Sequence, residues 1–555
     1  LVELLRIPAD VTGSSLGQWQ KSPQNTSCSF SSAKTISPMS NSDRFGTLGF
    51  FAIFWLTGIG LLLSGCAANV PPPTVAVAAP LHWYASLPAS TPSTDAASKA
   101  ARPLTPADSL PHHGSLTSLS QWWQQQHDAL LVDMIDAAQI VSPTVITARS
   151  NILQAQAAKT AAAAALLPTA GAVGSLNRGV NIPFNRNTPA PITTAADLGL
   201  QTTWEIDLFG QNEASLKADN ERLLGSQALW HQARILVAAE VASQYYGFRA
   251  CEQLLAVTRA DAKSRLETSR LSDLLTKAGF GAPATAALAR ASAAEGNSRI
   301  TQQRAECEVS VKALTALTGW REPELQQKLA QSPVAPPQQG MQAISRVPAE
   351  VLSQRPDVFN AARELNAASF EVGSARAQRY PRLSISGSIA ANRQNSLGTT
   401  QRFTTWSIGP LALTVPLFDG GAADANIKAA KARYEEAAGK YRSVVRQAVR
   451  EVEEALVTLQ STADRSSDTA VAAQGYQASF AGTEARYKAG LASLVELEDA
   501  RRVLLQAQTS VVLLDRERRN AWIGLYKALG GGWTPDVPQA TPMIFGVPEA
   551  ALPEK

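Results

Sequence analysis

The sequence has little of what most functional classes need. Its five histidines, His82, His112, His113, His127 and His231, are scattered through 555 residues with no metal-ligand spacing. The His112-His113 pair sits in a Pro/Ser-rich stretch, where solvation accounts for it. Gly439-Lys440 is not a phosphate loop, because Tyr434 stands where the first Gly is needed and Tyr441 where Ser or Thr is needed. Charge of one sign is also missing: 50 Lys and Arg are interspersed with 46 Asp and Glu, for a net charge of +4. Counterion release on nucleic acid needs a concentrated basic face, so no nucleic-acid partner is expected. Charged residues are 17% of the chain and aromatic ones 6%, and there are only 4 cysteines. A mean hydropathy of −0.08 excludes a polytopic helical membrane protein. With 45% hydrophobic residues the chain is not disordered, and its length suffices for three or four ordinary domains. No enzyme chemistry is expected.

What is present begins at Met39. Residues 1–38 are Ser/Gln/Pro-rich, and Met39 reads as the true start, with 1–38 a non-native or mis-annotated extension. From Met39 a short polar start with Arg44 leads into an apolar run ending at Leu63, then Leu63-Ser64-Gly65-Cys66. This resembles a bacterial lipoprotein signal with its lipobox, residues 39–65 being the signal. Small Ser64 and Gly65 give a peptidase room, and Cys66 supplies the thiol that would be lipidated. A single transmembrane anchor is the alternative for a run of that length. In such signals the residue after the Cys sorts the product, and Ala67, not Asp, implies the outer membrane. No cofactor is expected beyond the N-acyl and S-diacylglycerol lipid on Cys66. Residues 66–116, rich in Pro, Ala and Ser, read as a lipid-anchored tether.

The rest of the chain is a duplication. Pro143, Pro168 and Gly174 recur as Pro356, Pro381 and Gly387 at one fixed offset. Leu208-Phe209 recurs as Leu417-Phe418, Lys277-Ala278-Gly279 as Lys488-Ala489-Gly490, Arg290 as Arg501, and Leu317-Thr318-Gly319 as Leu529-Gly530-Gly531. Residues 117–340 hold the first repeat and 341–533 the second, with a Pro-rich tail at 534–555. In each repeat a helical run, from Pro143 to Leu167 and from Pro356 to Tyr380, leads into two runs of period two, at about 170–207 and 382–418. In the second, Ile385, Gly387 and Ile389 alternate with serines, and Leu411, Leu413 and Val415 follow a Gly409-Pro410 break that suggests a bulge or strand start. In the first, Leu198, Leu200, Thr202, Trp204 and Ile206 alternate with polar residues. Their length, about ten residues, is that of a tilted membrane-spanning strand.

Each strand pair is followed by helical periodicity, at about 212–319 and 421–530. Asn212 to Lys277 contains no Pro, so a continuous helix there would be about 100 Å long. Four strands cannot close a membrane barrel, so other copies of the chain must complete them. The fold class is mainly α with a membrane β-barrel portion. Three copies give a homotrimeric 12-stranded β-barrel, 4 strands per chain, continuing into a long α-helical coiled-coil barrel.

This layout resembles the TolC-like outer membrane efflux proteins, and the lipobox at Cys66 places it near their NodT/OprM-like lipoprotein branch. The resemblance covers about residues 120–533 and rests on Arg355-Pro356-Asp357-Val358, the Pro168 and Pro381 strand starts, Leu417-Phe418-Asp419-Gly420-Gly421, and Tyr487-Lys488-Ala489-Gly490 with Leu494-Val495-Glu496-Leu497-Glu498-Asp499-Ala500. It implies a passive homotrimeric duct from outer membrane to periplasm, exporting drugs or metal ions received from an inner-membrane RND-type transporter through a periplasmic adaptor. The exit duct of a type I protein secretion system and a non-channel coiled-coil lipoprotein are the alternatives. The resemblance also implies a periplasmic gate at Glu496 and Asp499, although the family often has Asp at the first of these. Threefold symmetry would make them two carboxylate rings. The matching stretch of the first repeat, Ala282 to Ala289, has no acid, and an ordinary solvated helix face is the alternative reading.

The cysteines carry an expectation independent of the family. If the Lys277–Ala282 segment is a helical hairpin turn, Cys251 and Cys307 are equally far from Gly279 and lie side by side. In an exported protein that predicts a disulfide. Arg376, Arg379 and Arg382 fall near a helix-to-strand junction, where long cationic side chains reach headgroups.

Overall fold

The chain divides into two units, Leu1–Ala68 and Asn69–Lys555. A computed structural model describes residues 71–73, 85, 123, 128–180, 192–332, 355–396 and 398–533, all within the second unit. The signal region, Cys66 and the 534–555 tail lie outside the described residues.

Asp128 caps the first helix, α1 (Ala129–Val141), by accepting from the Leu131 amide at 3.1 Å. Pro143 then opens α2 (Pro143–Ala164), since proline lacks only an N–H that the first turn leaves unbonded anyway. Strands β1 (Thr169–Val180) and β2 (Ile192–Ile206) follow, then α3 (Gln211–Lys277), α4 (Pro283–Thr318) and the short α5 (Glu322–Gln331). The second repeat runs α6 (Pro356–Ala377), β3 (Arg382–Ser396), β4 (Thr399–Thr414), α7 (Ala422–Lys488) and α8 (Leu494–Ala528), closed by a 3-10 turn at Gly530–Gly532. Helices α2 and α6 are both 22 residues, and α3 and α7 both 67, which is about 100 Å of continuous helix. The duplication in the sequence is thus a duplication of structure.

The four strands form one antiparallel sheet in the order β1-β2-β3-β4, leaving β1 and β4 as open edges. The register puts residues of one parity on each face. Leu200 pairs with Ala172 and Ile389, and Ile389 with Trp406; on the same face Leu198 pairs with Ala391 one row away, and Trp204 with Ile385, itself opposite Leu411, two rows away on the other side. The other face is polar and knits itself together: Ser175 donates to Asp197 at 2.5 Å, Asn392 to Thr405 at 2.8 Å, and Ser388 bonds Ser407 at 2.9 Å. Val173 and Phe403 are apolar exceptions there. A register shift between Ile385 and Gly387 faces Gly409-Pro410, where Gly409 takes φ +108°, so the break is a bulge inside β4. Strand β4 begins at Thr399, earlier than its apolar alternation indicates, because its first residues are polar.

Among the described residues no single helix is long and apolar enough to cross a membrane. The main core lies where α1, α3, α4, α5, α7 and α8 meet, around Leu131, Met134, Val241, Tyr245, Leu314, Leu325, Leu456 and Leu525. A second cluster joins α6 to α7 nearer the strands, through Leu365, Val372, Ile427 and Tyr434. The expected tether is held against this region at the points described: Ser369 donates to the Pro71 carbonyl at 2.7 Å, Tyr434 to that of Pro72 at 2.9 Å, and the Ala85 amide to Glu453 at 2.7 Å.

Candidate functional site: the helical tips and the sheet

At the sheet end, each strand-to-helix corner is set by an aspartate and a glycine. Asp207 accepts from the Gln211 and Glu213 amides, both at 2.8 Å, and Asp419 from those of Gly421 and Ala423 at 2.8 and 2.7 Å. The two backbone hydrogen bonds hold the Asp419 carboxyl below its ordinary pKa. Gly210 and Gly421 precede α3 and α7 at φ +73° and +93°, a conformation a side chain resists. Aromatic rings gather at the same level. Trp204 donates to the Leu166 carbonyl at 3.0 Å, and Phe209 stacks on Tyr380 with centroids 4.8 Å apart. Arg379, expected at this junction, pairs with Asp424.

At the opposite end, the α3–α4 and α7–α8 hairpins turn at Gly279 and Gly490, φ +82° and +76°. Glu496 and Asp499 lie here, on the first turns of α8, with more than half of each side chain exposed. Their chemistry differs. The Glu496 carboxylate accepts from the Ser493 amide at 3.1 Å while Ser493 Oγ accepts from the Glu496 amide at 3.2 Å, a capping box, and Arg486 lies 4.0 Å away. Asp499 accepts from Arg502 at 2.9 Å. Glu496 therefore starts its helix as well as presenting charge, a role its Ser493-x-x-Glu496 spacing could have shown.

The alternative of a solvated helix face takes in Glu498, the acid between them, together with Arg501 and Arg502, yet only Arg502 of these is solvated. Glu498 is largely buried and accepts from Arg265 of α3 and Ser292 of α4, at 2.8 and 2.9 Å, as well as from Arg501. Arg265 also donates to Asp261 at 2.8 Å, and Arg501 to Ser264 and Thr268 at 3.0 and 2.9 Å. Arg501 is 2% exposed. Burial pulls its pKa down and Arg265 adds to that, against the attraction of Glu498 and Asp261. Together with a 3.0 Å bond between Ser272 and Tyr487, this network joins the two hairpins within one chain. Further up the first hairpin, a disulfide joins Cys251 and Cys307, Cα atoms 5.5 Å apart. The Arg355 side chain explains its motif. It is buried at the start of α6, donating to Asp357 at 2.7 Å, Glu451 at 2.8 Å and the Ala528 carbonyl at 2.9 Å, so one guanidinium ties α6, α7 and α8. Burial opposes its charge, but the two carboxylates outweigh that and raise its pKa.

A sheet with one apolar face, polar contacts on the other and two free edges, continuing into two helices each about 100 Å long, defines a membrane duct built from several copies. The sequence matches the outer membrane efflux protein family over residues 134–320 and 347–531, and the chain belongs to that family. It is similar to the solvent efflux pump outer membrane protein SrpC of Pseudomonas putida, 27% identical over 73% of this chain and 86% of the relative. It is 30% identical to outer membrane protein OprJ of Pseudomonas aeruginosa over 60% of this chain and 68% of that one. Among solved structures, the outer-membrane channel OprN aligns with a TM-score of 0.66 at 25% identity, covering 75% of this chain and 93% of OprN. The Campylobacter jejuni CmeC outer membrane channel aligns at 0.69 and 21% identity, over 85% and 95%, which bears on the fold alone. The fold class is that of these channels: four strands per chain contributed to a homotrimeric β-barrel that continues into an α-helical barrel. The protein sits in the outer membrane, extends into the periplasm, and acts as a conduit, not an enzyme.

Proposed function

We propose that the chain is the outer-membrane duct of a tripartite efflux pump. Three copies form a passive channel that receives small molecules from an inner-membrane RND-type transporter through a periplasmic adaptor. The carrying observation is the four-stranded sheet, whose polar face can line a lumen and whose open edges a neighbouring copy can pair. Relatives of similar extent are named for solvent, toluene and antibiotic efflux and for pyoverdine export. One duct design thus serves unlike cargoes, which fits selection of the cargo by the transporter.

Two local readings accompany this one. Glu496 and Asp499, exposed at the tip, supply two acidic rings at the periplasmic end, which attract cations and repel one another as the tip closes. Cys66 carries a lipid anchor. Pro71, bonded to Ser369, is five residues from Cys66, a stretch that spans at most about 17 Å. Ser369 in turn lies eight residues, about 12 Å of helix, from the end of α6 at the sheet. An anchor of that reach suits a membrane at the level of the sheet.

The test is conductance of the purified trimer in planar bilayers, wild type against Glu496→Gln/Asp499→Asn. Small cation-selective currents that grow or lose selectivity in the variant support duct and gate. Unchanged channels discard the gate residues, and a well-folded trimer that never conducts counts against the duct.

A further inference from the structure

The sheet's charges are sorted by face and by height. Residues 169–206 contain two acids, Asp197 and Glu205, and residues 382–418 contain none. By register both acids lie on the polar face, together with Arg382. The apolar face of the described strands carries three arginines, Arg178, Arg393 and Arg402, and no acid. Arg393 stands directly opposite Arg402, in the row that continues through Ala196 to Leu176, and Arg178 is one row further from the helices, opposite Thr194. Like charges facing across a strand pair are unfavourable unless an anion lies between them. No side chain of the two hairpins can supply it on that face, nor can those of another copy, since every copy has the same sequence. All three arginines are exposed and none has an ion-pair partner among the described residues. Arg379, at the other end of the sheet, has its carboxylate in Asp424.

The height is informative too. Trp204, bonded to the helix-end carbonyl of Leu166, marks the helical edge of the apolar band. From its row to the Arg393–Arg402 row is eight residues, about 26 Å along the strand. A strand tilt of about 40° makes that about 20 Å of height, and Arg178 sits about 5 Å higher, against an apolar band about 25 Å tall in such barrels. Between them the face carries Leu198, Leu200, Ile389, Trp406 and Ile408. With the helices in the periplasm, the arginines fall at the headgroup level of the outer leaflet.

We propose that Arg178, Arg393 and Arg402 form a binding site for the phosphate groups of an anionic glycolipid in the outer leaflet. A guanidinium binds phosphate bidentately, and the aliphatic stem of each arginine packs against the apolar face while its head reaches the headgroup. The site repeats three times around the barrel, nine arginines in all, and the lipid completes the like-charged Arg393–Arg402 pair. This goes beyond export: it concerns what the barrel holds around it, not what passes through.

The experiment measures lipid retained by the full-length trimer purified in detergent from membranes containing a phosphorylated glycolipid, counted per trimer by native mass spectrometry. Wild type is expected to retain the phosphorylated glycolipid in preference to phosphatidylethanolamine. The Arg178→Gln/Arg393→Gln/Arg402→Gln variant should retain about tenfold less, and the corresponding Lys variant an intermediate amount. Arg382→Gln, on the polar face, should match wild type. If the triple variant does not assemble, Arg402→Gln alone is compared on the same assay. Equal retention by wild type and the Gln variants, or complete displacement of the glycolipid by excess inorganic phosphate, would overturn the proposal, the second because it marks a site for free anion and not for lipid.

Discussion

Helices α3 and α7 are equal in length and equivalent in the duplication, yet α3 buries 23 residues, the last at Ser272, whereas α7 buries 11, the last at Thr462. Helix α3 lies inside the single chain, packed by α2, α4, α6 and α8. Helix α7 lies at an outer edge, with its Val471 and Tyr476 exposed. The sheet corners teach the same lesson. Phe209 stacks on Tyr380 across the boundary between the repeats, while its equivalent Phe418 is 93% exposed and has no partner ring among the described residues. The position equivalent to Tyr380 is Leu167, itself exposed, on the far side of the chain. Repeat two of one copy therefore meets repeat one of the next as repeat one meets repeat two within the chain, which is how a duplicated unit closes a ring.

The hairpins differ in what holds them. Removing Glu498 strands Arg501 and Arg265 between the two hairpins without their shared carboxylate, and Glu498→Ala should cost about 3–5 kcal/mol. The expected readout is a lower unfolding temperature with faster proteolysis at the tips; a variant as stable and resistant as wild type would show that the hairpins do not depend on this network.

The first hairpin alone has a covalent staple, since Thr462 occupies the place of Cys251 in the second repeat. Reduction, or Cys251→Ser/Cys307→Ser, should lower stability by about 2–4 kcal/mol for a bond closing a 56-residue separation. Thermal melts with and without reductant check this, and the double variant should be insensitive to reductant.

Acid should loosen the first repeat as well. His231 of α3 is partly buried beside Trp230, with its Nε2 unbonded among the described groups, and burial with help from Arg234 lowers its pKa to about 4. The folded protein holds the imidazole neutral. Its contribution is therefore complete above the unfolded value of about 6.5 and is lost as the pH falls toward about 4. His231→Phe should flatten the fall in melting temperature over that window, and an unchanged slope would assign acid sensitivity elsewhere.

The smallest effect belongs to the second repeat's tip. Glu496→Ala breaks the capping box and should cost about 1 kcal/mol, while Glu496→Gln, which can still accept from the Ser493 amide, should melt close to wild type. Equal melting of both variants would remove the cap from the account of this turn.

The duplication was legible because prolines at helix starts and glycines at turns fix backbone geometry wherever they occur. Strand faces were legible in β2 and β3, where alternation is regular, and less so in β4, whose polar start at Thr399 to Arg402 alternates with nothing. Helix α1 escaped because it lies ahead of Pro143, the first position with a counterpart in the second repeat, although Asp128 and the apolar positions Leu130, Leu131, Met134 and Ile135 mark it. The Cys251–Cys307 pairing could be reasoned from hairpin symmetry alone. The buried arginines could not: Arg501 and Arg265 are 236 positions apart, and nothing local distinguishes them from the solvated Arg502.

Closure by three copies is tested most directly at the open edges. In the repeat, Trp204 corresponds to Leu413 and Ile385 to Ala172, and Trp204 pairs with Ile385 within the chain. Leu413 of one copy should then face Ala172 of the next. Ala172→Cys/Leu413→Cys, oxidised in the membrane and denatured, should run as a covalent species that stops at three chains. Monomers only, or an open ladder running past three, would contradict the closed trimeric barrel.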